Sequence, residues 1–289
     1  MPYPQVAIEI ETFSPALRNV VPGALAAEQI ATGFGFTEGP VWMPGGFLVF
    51  SDIPGDTIFR WDAASGHQIY RRPSANANGN AVDAAGRLLT CEHSGRRVAR
   101  EERDGALVTL ASHYEGRRLN SPNDVIVHSS GAVYFTDPPF GLPSGGEGAE
   151  LGFAGVYRLA PDSALALISD ALEGPNGLAF SPDERTLYVN DSRRHELYAF
   201  DVQPDGSAQN GRVIATTDRS AGPGNPDGMK LDAAGALFMT GPGGVWVLAP
   251  DGERLGLLRF PERTANLAWG AAPGELYVTA TTSVYRLTL

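Results

Sequence analysis

Six stretches of the 289-residue chain share one pattern: a polar residue, a short apolar run, a turn built on Gly or Asp, and a second β-rich run. They start at Glu38 (EGPVWMPGGFLVFSD), Asn78 (NGNAVDAAGRLLTCE), Asn123 (NDVIVHSSGAVYFTD), Asn176 (NGLAFSPDERTLYVND), Asp227 (DGMKLDAAGALFMTG) and Ala265 (ANLAWGAAPGELYVTA). The starts lie roughly 40–50 residues apart, the spacing of a propeller blade with variable loops. Runs such as LVF from Leu48 and LYV from Leu187 are too short for helices, and some of the chain's 35 glycines and 22 prolines bound them, so they read as strands. Third and fourth strands follow in several units, for example Thr57 to Asp62 and Gly244 to Leu248. The pattern predicts an all-β fold, a six-bladed β-propeller with four-stranded antiparallel blades around a central channel. Each blade of such a ring buries its faces only against its neighbours, so residues 34–289 are expected to form a single domain. Residues 1–33 form an N-terminal extension, part of which is available to pair with the last blade and close the ring.

In a propeller the innermost strands line the channel, so equivalent repeat positions form a ring about the axis. That ring reads Glu38, Asn78, Asn123, Asn176, Asp227 and Ala265. Two carboxylates and three carboxamides facing one another are costly to desolvate unless something satisfies them. A bound cation would do so, and a donor set of hard oxygens favours Ca2+, with Mg2+, Mn2+ or Zn2+ as alternatives. Taken singly, Ser121-Pro122-Asn123-Asp124 or Asn225-Pro226-Asp227-Gly228 is an ordinary turn sequence. Their common phase across the repeats favours the ring.

The second strand of each hairpin ends at the same mouth, with Asp52, Glu92, Asp137, Asp191, Gly241 and Ala280. Recurrence suggests that Asp52 and Asp191 serve turns. Asp137, in TDPPFG before a Gly-rich insertion, is the better pocket candidate and is expected to contact substrate. His93 follows Glu92 at that rim, either as a proton-exchanging substrate contact or as a satisfied surface histidine.

Composition limits the partners. Hydrophobic residues make up 43% of the chain, enough for a sizeable core, and a net charge of -11 would repel a polyphosphate backbone, so no nucleic acid partner is expected. A single cysteine, Cys91, excludes an intrachain disulfide and multi-cysteine metal sites. Met1 to Ile10 lacks the features of a secretory signal, and no window approaches the ~20 apolar residues of a membrane span, so a cytoplasmic protein with no membrane partner is expected. No G-x-S-x-G, P-loop, complete G-x-G-x-x-G or H-E-x-x-H motif is present, which removes support for serine-triad, nucleotide and dinucleotide chemistry. The oligomeric state is left open.

The motifs FTEGPVW from Phe36, NANGNAVDAAGRLLTCEH from Asn76, SPND from Ser121, YFTDPPFG from Tyr134, PNGL from Pro175 and PDG from Pro226, in this order and phase, resemble the senescence marker protein/gluconolactonase family. The resemblance spans residues 34–289. It implies a propeller with an axial divalent cation held by Glu38, Asn123, Asn176 and Asp227, and hydrolysis of a sugar lactone. The cation would polarise the lactone carbonyl and Asp227 would act as catalytic proton acceptor and donor. Asn78, His93, Asn123 and Asp137 are the expected substrate contacts. Regucalcin-like members carry a substrate-binding arginine where this chain has Ser121, so those contacts do not transfer, and the His93 and TDPPFG segments look more like the bacterial gluconolactonase and Drp-type lactonase branch. Hydrolysis of other lactones or organophosphate triesters, and a non-catalytic metal-stabilised binding propeller, are the alternative readings.

Overall fold

The computed structural model describes residues 3–143 and 146–289; residues 144–145, within the Gly-rich insertion, and residues 1–2 lie outside it. The described residues form strands joined by turns and short 3-10 segments such as Pro15–Asn19 and Pro139–Gly141. The first repeat folds as a four-stranded antiparallel sheet in the order Thr37–Met43, Phe47–Asp52, Thr57–Asp62, Gly66–Arg71. The units beginning with strands Ala77–Val82, Val125–Val127 and Pro175–Phe180 repeat that order. The last two units are joined in one nine-stranded sheet through an N-terminal strand, β1 (Gln5–Thr12). Residues 9–12 of β1 pair with Arg254–Arg259, while residues 5–8 pair with β2 (Leu25–Thr32). Strand β2 pairs in turn with Ser283–Thr288 and so stands fourth beside Thr264–Trp269, Glu275–Ala280 and Ser283–Thr288.

The burial of successive strands explains the stacking. Phe47–Asp52 is buried from Leu48 onward and Leu237–Gly241 throughout, whereas the outer strand Gly66–Arg71 is half-buried or exposed. A strand apolar on both faces must be covered on both. Val49 and Ile58 pack on Ala77 and Leu88; Leu89 and Val98 on Val125 and Phe135; Tyr134 and Val156 on Leu178 and Val189. Leu197 meets Met229 and Trp246, Phe238 and Val245 meet Leu267 and Val278, and Tyr277 and Val284 of the last unit meet Leu48 and Phe50 of the first. This succession of interfaces returns to its start. Each fully buried Val, Leu or Phe contributes about 1.5–3 kcal/mol, so these layers between sheets, with the first strands of neighbouring units in contact, fix where the six repeat-equivalent positions meet.

Candidate active site

The ring position coincides with an irregularity in the first strand of four units. Pairing shifts register between Glu38 and Val41, Ala77 and Asn80, Pro175 and Leu178, and Thr264 and Asn266. A bulge re-aims the side chain it carries. The glycine after the ring residue then lets the next strand approach. Gly39 has φ +48°, and a Cβ there would lie 2.1 Å from the Asn78 carbonyl oxygen; one on Gly177 would lie 2.1 Å from that of Asp227. The ring backbone is tied between units: Gly79 N–H donates to Asn123 O at 2.8 Å, Ser51 Oγ to Asn78 O at 2.8 Å and Thr136 Oγ1 to Asn176 O at 2.8 Å.

Glu38, Asn78, Asn123, Asn176 and Asp227 all line one cavity of about 280 Å³, together with His93, Phe36, Ile53, Phe140, Ser192, Arg193, Asn225 and Arg263. Its polar walls are pre-aimed. Asn78 Nδ2 lies 3.1 Å from His93 Nε2, and Asn176 Nδ2 donates to Ser192 Oγ at 2.9 Å. Each contact occupies the amide nitrogen and leaves the carbonyl oxygen free; Asn78 Oδ1 is buried without a partner. His93 is 7% exposed, and burial pulls its pKa down to about 4, so the ring is neutral and in its Nδ1–H tautomer accepts from Asn78 at Nε2.

The carboxylates are under tension. Glu38 Oε2 accepts from Gly39 N at 2.6 Å and from Asn266 Nδ2 at 3.0 Å, and Glu38 and Asp227 line the same cavity. Burial, with the charge of Asp124 second, pushes Glu38 up to about 7; burial, then the charges of Glu38 and Asp124, push Asp227 well above the usual carboxylate range. Two neighbouring carboxylates in one cavity call for a shared proton or a cation. Among the described residues no three Asp, Glu, His or Cys side chains are grouped to hold a metal ion. Here carboxamide oxygens of Asn123 and Asn176 would complete what Glu38 and Asp227 begin, and an all-oxygen set fits Ca2+ or Mg2+ rather than a thiophilic ion.

Asp137 does not line the cavity. It is wholly buried and accepts from Asn120 N at 2.7 Å, while Asp52 accepts from Gly35 N and Phe36 N at 3.1 Å, and Asp191 from Glu173 N at 2.7 Å and Gly174 N at 3.1 Å. All three hold the segment entering an inner strand, so the expected substrate contact at Asp137 is corrected to this anchoring position. Ser121 is also buried. Its Oγ donates to Pro138 O at 2.6 Å and accepts from Gly141 N at 2.9 Å, clipping the Pro139–Gly141 turn over His93.

Sequence reasoning missed Ser192, although it follows Asp191 as His93 follows Glu92, and that phase was available. It also missed Asp124 and Asn266, polar residues where other repeats have Gly39, Gly79, Gly177 and Gly228. Arg193, Arg263 and Phe36 carry no signal from the repeat.

These features define a propeller-like all-β protein with an oxygen-rich pocket at the meeting point of its inner strands. The chain belongs to the SMP-30/gluconolactonase/LRE-like family, whose signature matches residues 36–282. It is 35% identical to a gluconolactonase of Zymomonas mobilis subsp. mobilis, over 96% of this chain and 85% of that one. It is also similar to the structure of a gluconolactonase from Xanthomonas campestris, with 36% identity, a TM-score of 0.90, and coverage of 100% of this chain and 98% of that one. A calcium-binding regucalcin from Agrobacterium tumefaciens shares the fold at 20% identity and a TM-score of 0.74, covering 89% of this chain and 91% of that one.

Proposed function

We propose that the stacked sheets are the blades of a closed six-bladed propeller and that the chain is a divalent-metal-dependent sugar lactonase, opening a ring such as that of glucono-1,5-lactone to the aldonic acid. The observation that carries this reading is that two acids, Glu38 and Asp227, line one cavity with the carboxamides of Asn78, Asn123 and Asn176. The gluconolactonase relatives support the substrate class. Glu38, Asn123, Asn176 and Asp227 would hold the cation, most naturally Ca2+. When bound, it would neutralise the carboxylates and supply Lewis-acid polarisation of the lactone carbonyl.

Asp227 takes the proton of the attacking water at its carboxylate and returns it to the ring oxygen as the C–O bond breaks, so no net proton is gained in that step. Asn78 Oδ1, fixed by neutral His93, accepts a hydrogen bond from a substrate hydroxyl or from the water. Phe36, Ile53 and Phe140 provide apolar walls that limit competing water. Purified protein should open glucono-1,5-lactone well above the uncatalysed rate when acid release is followed at constant pH; a rate equal to the blank in the presence of each of Ca2+, Mg2+, Mn2+ and Zn2+ would remove the proposal.

A further inference from the structure

Four arginines place their guanidinium groups over aromatic rings: Arg60 over Phe47 at 4.4 Å, Arg286 over Trp61 at 5.6 Å, Arg193 over Phe140 at 5.7 Å and Arg263 over Phe36 at 4.8 Å. The first two do not line the pocket and are ion-paired, Arg60 with Asp62 at 3.2 Å and Arg286 with Glu28. Arg193 and Arg263 line the pocket, and among the described residues neither has a carboxylate within ion-pairing distance. Both arginines are exposed, and the charge of Arg263 acts on Asp227 across the pocket without forming an ion pair. Stacking on Phe140 and Phe36 holds each side chain in place while leaving the edge of its guanidinium open.

Resting on the lactonase reading, we infer that Arg193 and Arg263 select a lactone that carries an anionic group, a carboxylate or a phosphate monoester, on the carbon remote from the ring carbonyl. With the carbonyl end at Glu38 and Asp227, the far end of a hexose-sized lactone would lie toward the arginines that line the same cavity. The guanidinium fork matches two oxygens of either anion. No bond is made or broken by these side chains; they orient the substrate while water opens the ring.

The test compares kcat/KM for glucono-1,5-lactone with that for the same lactone bearing a 6-phosphate and for a glucaric acid lactone bearing a 6-carboxylate. One or both anionic lactones should exceed the neutral one by at least about tenfold at low salt, and the preference should shrink as salt rises. The arm that shows the preference identifies the anion. In an Arg193→Gln/Arg263→Gln variant the anionic-to-neutral ratio should collapse toward one, and Arg193→Lys/Arg263→Lys should restore only part of it. Calorimetric binding of the non-hydrolysable open-chain acids, 6-phosphogluconate and glucarate against gluconate, reads the same preference without turnover. A wild-type ratio at or below one, or a ratio and binding preference unchanged by the double glutamine variant, overturns the inference. Absence of turnover on every lactone, with arginine-dependent anion binding intact, would instead count against the lactonase reading alone.

Discussion

Asn176 donates its Nδ2 to Ser192 Oγ at 2.9 Å in the same repeat phase in which Asn78 meets His93 across 3.1 Å. Both contacts decide which end of a carboxamide faces the pocket. Ser192 also donates to the Pro226 carbonyl, so its hydroxyl ties the Asn176 side chain to the segment that carries Asp227.

Ser192→Ala removes the partner that orients Asn176. Groups that orient a metal ligand are typically worth 10- to 100-fold in affinity. Titrating Ca2+ into chelated protein by calorimetry should show a loss of about that size, with Ser192→Thr closer to the wild type. Unaltered affinity in Ser192→Ala would show that Asn176 is held by other means.

Acid should expose the cost of burying His93. Its pKa is about 4 in the folded chain against an ordinary 6.5, and burial is the cause. Between those values the unfolded chain binds a proton that the folded chain does not, so stability falls as pH drops through this window. Urea midpoints measured from pH 7 to pH 4 should decline less steeply in His93→Gln than in the wild type. Parallel curves would mean that His93 is not held neutral.

Asp137 gives the opposite slope. Burial raises it to about 7 from 3.8, so the folded chain keeps a proton between those values that the unfolded chain has lost. Stability contributed by this group is full below about pH 4 and declines as pH rises toward 7. The difference in urea midpoint between Asp137→Asn and the wild type should therefore move in favour of the variant over that range. A difference constant with pH would contradict the assignment.

Much of the site could be read from the sequence because a propeller converts repeat phase into position. Glu38, Asn78, Asn123, Asn176 and Asp227 share a phase and share a cavity. Where phase was set aside, the reading failed: Asp137 stands in register with Asp52 and Asp191 and does the same work, and its neighbouring TDPPFG motif drew it wrongly toward the pocket. His93 is buried at the pocket wall against Asn78, not a surface group. Arg193 and Arg263 were not legible, since they extend from loops that differ between repeats and depend on aromatic partners, Phe140 and Phe36, remote in sequence.

Asp227→Asn should depress turnover more than Asn176→Asp, because the first removes a proton acceptor and the second preserves an oxygen donor. Acid–base contributions are typically about 100- to 10,000-fold. Metal content must be measured in both variants, since Asp227 has two roles. Near-normal kcat in metal-loaded Asp227→Asn would assign proton transfer to another group.

The central claim is that Glu38 and Asp227 are brought together to share a divalent cation needed for lactone opening. Chelated protein, assayed for glucono-1,5-lactone hydrolysis while Ca2+ is added back and bound metal is counted, tests it directly. Activity should be lost on chelation and return in proportion to one bound cation per chain, and Glu38→Gln should weaken both together. Full activity in metal-free protein, or binding of Ca2+, Mg2+, Mn2+ and Zn2+ with no effect on turnover, would contradict the account.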